Sequence, residues 1–262
     1  MEEILLNKPG KKIILLGNEA IVRGALEAGV QFVSTYPGTP ASEIGDNFAK
    51  IANKVGVYFE FSTNEKVALE AAIGASFSGL KTLVAMKHFG LNVCSDSLMP
   101  ACYTGVRGGM VLMVADDPSC WSSAQSEQNS RAYSYLAHIP TLEPSEPQEC
   151  KDFTKLGFEI SEKFKIPVMI RTTTRVSHQR APVKIGKLAL TGCYPVKGEF
   201  IKEPKRFVTL SPRVLEMKSE LLEKIEKIKE FSEKSPINQI DKASSSINLG
   251  IIASGIAYLY VK

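Results

Sequence analysis

The sequence predicts a three-layer α/β fold, a parallel sheet with helices on both faces. Short apolar runs alternate with helical segments from Lys12 to Thr172, the pattern of repeated βαβ units. One run, Met110–Ala115 (MVLMVA), is apolar throughout, as expected of a central strand covered on both sides.

Lys12–Leu16 (KIILL) reads as the first strand, ending at Gly17. Asn18 stands where a side chain can cap the next helix. That helix turns Ala20, Ile21, Gly24, Ala25 and Ala28 inward and stops at Gly29. Val30–Thr35 is the second strand and leads into Tyr36-Pro37-Gly38-Thr39-Pro40, a rigid turn. A helix over 41–53 buries Ile44, Phe48 and Ile51.

Val57 opens the third strand, which turns at Ser62-Thr63-Asn64. The helix that follows, to Gly79, is so rich in Ala, Gly and Ser that it predicts close packing. Glu65 stands at this turn. A carboxylate there can present one proton-accepting group to a flat ligand. The plainer reading of Ser62-Thr63-Asn64-Glu65 is a capping box, with Glu65 bonded back to the Ser62 amide.

Lys81–Ala85 and Met110–Ala115 are the fourth and fifth strands, with a helix over 91–104 kinked by Pro100 between them. The polar segment 116–131 lacks periodicity, which marks a functional loop, and its Trp121 predicts contact with something. Thr141–Pro144 is extended, Pro147–Lys163 is a helix facing inward through Cys150, Phe153, Leu156 and Ile160, and Val168–Thr172 is the sixth strand. Beyond 183 come an arm without clear periodicity and an amphipathic helix over Arg213–Lys234, with Glu220/Lys224 and Glu223/Lys227 as i,i+4 pairs. A polar linker to Ser246 follows. Leu249–Ala253 reads as a new strand before Ser254-Gly255 and a helix start, so the sequence is expected to stop at the beginning of a second domain.

Composition narrows the function classes. The chain has 262 residues, 44% hydrophobic and 23% charged, with a net charge of +4, which gives no nucleic-acid face. No apolar run is long enough to span a bilayer, and a cytoplasmic location is expected. Cys94, Cys102, Cys120, Cys150 and Cys193 contain no C-x-x-C pair, which argues against zinc or an iron–sulfur cluster within the chain and for idle thiols. There is no P-loop, no G-x-G-x-x-G after a strand and no G-x-S-x-G elbow. In a parallel sheet the ligand site lies beyond the carboxyl ends of the strands. Those ends carry Gly17–Glu19, Tyr36–Pro40, Ser62–Glu65, Met86–Gly90, Asp116-Asp117 and Thr172–Arg175.

The runs TYPGTPASEIGD, the segment from FEFSTNEKVALEAAIGASFSG to MVLMVADDPS, SEQNSRAY and PVMIRTTTRVSHQR carry a resemblance. From about Gly17 onward the sequence resembles the N-terminal, pyrimidine-binding region of the α subunit of indolepyruvate:ferredoxin oxidoreductases. These belong to the thiamine diphosphate-dependent 2-oxoacid:ferredoxin oxidoreductase family. The resemblance implies a pyrimidine-binding domain over 1–182, an arm and helical linker over 183–246, and the truncated start of a second α/β domain over 247–262.

It further implies that Glu65 is the glutamate that hydrogen-bonds N1′ of the cofactor's aminopyrimidine and promotes its imino form. Pro37, Gly38 and Thr39 match the family's Y-P-x-T-P turn, where the threonine hydroxyl faces the substrate. His88 and Asn92 of K-H-x-G-L-N are expected to line the same cavity. Arg131, or else Arg107, is the expected partner of the substrate carboxylate. The implied reaction is oxidative decarboxylation of an aryl 2-oxo acid to an acyl-coenzyme A, with electrons passing through iron–sulfur (4Fe–4S) clusters to ferredoxin.

Two implied elements fall outside this sequence. The family holds Mg²⁺ and the diphosphate through a G-D-G motif, whereas here Gly45-Asp46-Asn47 sits inside a helix. The cysteine-rich segment is also lacking. The chain is therefore expected to be inactive alone, completed by a C-terminal part and a smaller second subunit. Two alternatives stand beside this reading: the pyrimidine subunit of a split, non-redox thiamine-dependent decarboxylase, and a non-catalytic fragment that keeps the fold.

Overall fold

The computed structural model describes residues 3–189, 197–242 and 249–262. The chain runs β1 (Lys12–Leu16), α1 (Gly17–Ala28), β2 (Phe32–Thr35), α2 (Ser42–Val55), β3 (Tyr58–Phe61), α3 (Glu65–Phe77), β4 (Thr82–Lys87), α4 (His88–Thr104) and β5 (Met110–Asp116). It continues through α5 (Ala132–Leu136), β6 (Thr141–Leu142), α6 (Pro147–Phe164), β7 (Val168–Thr173), α7 (Thr174–His178), β8 (Arg180–Lys184), α8 (Pro204–Phe207), α9 (Arg213–Glu233) and α10 (Ile256–Val261).

Six strands form one sheet in the order β3-β2-β4-β5-β7-β6, every pair parallel. Pleating sends successive side chains of the central strands to opposite layers. Leu83, Ala85, Val111, Met113 and Ala115 join α1, α2 and α6 in one core. Val84, Met86, Met110, Leu112 and Val114 join α3, α4 and α9 in the other. This is why β4 and β5 read as unbroken apolar runs, and it bears out the three-layer parallel fold.

Several expectations are corrected. β1 is not in the sheet but pairs antiparallel with β8 in a separate ribbon. Its alternation explains this: Ile13 and Leu15 are buried while Ile14 is 60% exposed, whereas a strand inside this sheet needs two covered faces. Pro182 fits an edge ribbon, since proline cannot donate to a ladder. Thr141–Leu142 is a true edge strand beside β7. Asn18 does not cap α1; its amide nitrogen donates to Pro40 O and Glu43 Oε2, both at 2.7 Å, and Glu19 returns to the Leu16 amide instead. α4 starts at His88, directly at the end of β4, and continues through Pro100.

The α9 stripe is present, with Met217 and Leu221 buried and Ile225 and Ile228 partly so against the α4 side. Its expected Glu220/Lys224 pair is not made: Glu220 takes Arg213, and Lys224 turns to the Lys165 carbonyl. Leu249–Ala253 forms no strand, and Ile252 is fully exposed; α10 follows as expected. Cys193 and linker residues 243–246 lie outside the described residues. No helix among the described residues is long and apolar enough to cross a membrane.

Candidate active site

The ends of β3, β2 and β4 are adjacent, so the loops after them meet at one corner of the sheet. Asn64 caps α3 by accepting from the Val67 amide at 2.9 Å. Ser62 instead donates to Glu60 Oε1 at 2.7 Å. The capping box between Ser62 and Glu65 is therefore not formed, and among the described residues the Glu65 carboxylate is held only by its own backbone amide.

Glu65 lies on the first turn of α4. A Cβ added at Gly90 would stand 2.4 Å from Glu65 Cγ and 2.7 Å from Oε1, so only glycine leaves room for the carboxylate. Burial raises the Glu65 carboxyl above the ordinary glutamate value, opposed by its own amide and by the charge of Lys87. This is a half-buried carboxyl, open to a ligand, beside a bare stretch of backbone. The small-residue helix behind it packs closely on one face only: Ala68, Ala72 and Ser76 are buried, while Gly74 meets nothing within 4 Å.

The Tyr36–Pro40 turn follows β2, and its Thr39–Pro40 peptide is cis. Thr39 is half-buried, and its hydroxyl makes no hydrogen bond among the described residues. Gly38 packs against Lys87, where an added Cβ would approach Lys87 Cβ to 2.8 Å. Pro37 is exposed beside them. Thr39, Glu65 and Lys87 thus share one corner, with Pro37 and Gly38 as its wall.

The 116–131 loop is pinned over this corner. Lys87 Nζ donates to Ser123 Oγ at 2.7 Å and reaches Ala124 O and Gln125 Oε1. His88 is fully buried, with Nε2 3.0 Å from Ser126 O and Nδ1 3.4 Å from Ala115 O. His88 therefore clasps the loop rather than presenting its ring to an open cavity. Asn92 is tied to Gln128 at 2.8 Å and to the Tyr133 hydroxyl at 2.9 Å.

At the loop's origin Asp116 is buried and accepts from Arg171 Nε, Ser130 N and Ser130 Oγ. Burial alone would raise the neighbouring Asp117, but hydrogen bonds from Thr174, Ser122 and Ser123 hold it below the usual range. Ser119, Cys120 and Gln125 have left-handed backbone (φ 61°, 51° and 95°), strain of roughly 1–3 kcal/mol each that the clasps must hold. Trp121 contacts little and is 86% exposed.

The two arginines expected to take a carboxylate are both engaged. Arg131 makes a two-point pair with Glu143, Nε to Oε1 at 2.5 Å and Nη2 to Oε2 at 2.7 Å, with Ser254 beside it. Arg107 lies at the opposite edge, ahead of β5, donating to the Phe77 and Glu199 carbonyls. A cavity of about 230 Å³ opens near Arg131 and Arg171 on the β7 side; none of Thr39, Glu65, His88 or Asn92 lines it. Burial pushes Cys94 and Cys102 up to about 12 and Cys150 higher still, so these thiols are inert. Among the described residues no three of His, Cys, Asp and Glu gather around a possible metal.

Lys87 is the residue that motif reading passed over. Its signal was present: a lone lysine directly after the apolar run Leu83–Met86 in TLVAMK.

Residues 23–220 match the family model for pyruvate flavodoxin/ferredoxin oxidoreductase, thiamine diphosphate-binding. Indolepyruvate oxidoreductase subunit IorA of Methanothermobacter marburgensis is 51% identical over 261 residues, covering 100% of this chain and 42% of that protein. The IorA of Thermococcus kodakarensis is 51% identical over 262 residues, 99% of this chain and 40% of its own length. The 2-oxoglutarate synthase subunit KorA of Methanothermobacter thermautotrophicus is 31% identical over 180 residues, 67% of this chain and 48% of that protein.

The structure of 2-oxoglutarate:ferredoxin oxidoreductase from Magnetococcus marinus, with 2-oxoglutarate, coenzyme A and succinyl-CoA bound, shares the fold. Its TM-score is 0.69 at 18% identity, covering 84% of this chain and 46% of that one. The chain spans about two fifths of the length of its IorA relatives. On the family match and these identities, the chain belongs to the thiamine diphosphate-binding family of pyruvate flavodoxin/ferredoxin oxidoreductases.

Proposed function

We propose that this chain is the pyrimidine-binding half of the α subunit of an indolepyruvate-type aryl 2-oxo acid:ferredoxin oxidoreductase. In this reading residues 1–182 form the pyrimidine-binding unit, 183–246 an arm and linker, and 247–262 the start of a further unit. The observation that carries it is Glu65: a carboxyl raised by burial, at a strand end, bare of donors among the described residues other than its own amide, lying on Gly90.

Thiamine diphosphate supplies, when bound, a carbon nucleophile whose formation depends on protonation of its aminopyrimidine. The residues present fit that group. Glu65 would share a proton with N1′, and burial, by raising its carboxyl above the ordinary glutamate value, favours its protonated form for that exchange. Pro37, Gly38 and Thr39 form a wall of the pocket, with the free Thr39 hydroxyl directed at the substrate. His88 and Asn92 act through the 116–131 loop, holding it down to exclude water. Mg²⁺, the diphosphate, the iron–sulfur clusters and coenzyme A are assigned to the remainder of the subunit and to a smaller second subunit, with ferredoxin as acceptor.

The test is anaerobic turnover by the full-length subunit assembled with its partner. Indolepyruvate and coenzyme A should drive ferredoxin reduction with formation of an acyl-coenzyme A. Release of the aldehyde without ferredoxin reduction supports the non-redox decarboxylase, and no turnover supports the non-catalytic fragment. Within the same enzyme, Gly90→Ala should lower kcat by about 10²-fold, the order expected when a reacting group is displaced by about 1 Å. Its melting temperature should hold or rise, since alanine favours a helix.

A further inference from the structure

Four cationic side chains are buried among the described residues: Arg23, Lys87, Lys151 and Arg171. Three of them meet a carboxylate directly. Arg23 Nε is 2.9 Å from Glu27, Lys151 Nζ is 2.8 Å from Asp152, and Arg171 Nε is 2.7 Å from Asp116. Lys87 differs. Its Nζ meets three neutral oxygens, Ser123 Oγ at 2.7 Å, Ala124 O at 3.2 Å and Gln125 Oε1 at 3.3 Å, and lies 4.8 Å from the centre of the Phe89 ring. Asp117 is one hydrogen bond removed, through Ser123 Oγ at 2.9 Å, and is already engaged by Ser122 and Thr174. Glu65 is felt only through space. A buried ammonium without a contacting counter-charge is costly, and its neutral acceptors do not cancel that cost.

The position matters as much as the charge. Lys87 ends β4 with its Cβ against Gly38, the residue before Thr39. Its three acceptors all come from one loop segment, where Gln125 holds a strained φ of 95°. Resting on the function proposed above, we propose that Lys87 receives the carboxylate of the 2-oxo acid, which displaces the oxygens of residues 123–125. In a 2-oxo acid the carboxylate is bonded to the reacting carbon, so in this reading it is bound beside Thr39, the residue proposed to face the substrate. Lys87 is there, whereas Arg131 is committed to Glu143 and Arg107 lies at the other edge.

This contact is made in the ground state and is given up as carbon dioxide leaves, so its loss appears chiefly in KM. The assembled full-length enzyme carrying Lys87→Met should show a KM for indolepyruvate raised on the order of ten- to a hundredfold, with kcat changed far less. Lys87→Arg should recover part of the loss. Calorimetry with indole-3-propionate and its neutral amide needs no turnover: wild type should prefer the acid, and Lys87→Met should lose that preference. Equal weakening of acid and amide, or a fall in kcat at unchanged KM, would overturn the proposal and leave Lys87 as a loop clasp. Failure of the functional reading looks different, because wild type would then not turn over indolepyruvate at all, while the acid–amide comparison would still decide the role of Lys87.

Discussion

Glu65→Gln in the assembled full-length enzyme is expected to lower 2-oxo acid-dependent ferredoxin reduction by about 10²–10⁴-fold, the usual worth of a positioned acid–base group. Folding should survive. Asn64, not Glu65, caps α3, so the change removes no cap, and a half-exposed side chain of similar shape is replaced. The pH dependence has a definite sign. The folded Glu65 carboxyl is raised by burial, so this group favours the fold below the ordinary glutamate value and loses that contribution as pH rises through the folded value. At neutral pH the amide should therefore be no less stable than the acid, and any gain should vanish in acid. Steady-state kinetics beside thermal melts from pH 4 to 8 decide the matter. If activity falls only in step with stability, Glu65 is a structural residue.

Glu27→Ala should cost on the order of 3–5 kcal/mol of stability, because it strands buried positive charge. The Glu27 side chain is fully buried on α1. It accepts from Arg23 Nε at 2.9 Å, the Gly186 amide at 2.5 Å and Lys155 Nζ at 3.2 Å, with Lys151 Nζ 3.8 Å away. Arg23 in turn donates to the carbonyls of Ile4, Leu6 and Gly186, so the network ties the first residues and the segment after β8 to α1. Burial would raise the Glu27 carboxyl, but Arg23, the Gly186 amide, Lys151 and Lys155 bring it below the ordinary value. A lowered folded value means the contribution is present above the unfolded value and is lost as pH falls through the folded one. Urea melts of Glu27→Ala should accordingly show a flatter acid limb than wild type. The exposed Arg213–Glu220 pair on α9 is the control and should matter far less. A Glu27→Ala protein that melts like wild type would show the network to be idle.

The three-layer parallel fold follows from residue order alone, because Leu83–Met86 of β4 and Met110–Ala115 of β5 are apolar at every pleat position and only a sheet covered on both faces accommodates that. Glu65 and the Thr39 turn were legible for a related reason: strand ends define where a parallel sheet binds, and both lie just past one. Local pattern did not reach everything. KIILL has the composition of a sheet strand, but its partner is Arg180–Lys184, far along the chain, and a ladder needs both members. Ser62 and Asn64 compete for one helix end, and the backbone there decided for Asn64, which freed Glu65. Arg131 and Lys87 differ because charge compensation is a property of neighbours in space: Glu143 reaches one, and among the described residues no carboxylate touches the other. Periodicity reports which side of a strand is covered, and so it specifies layers. Which ionic group remains uncompensated at the corner where those layers meet depends on contacts between distant segments, and these exist only once the chain has folded.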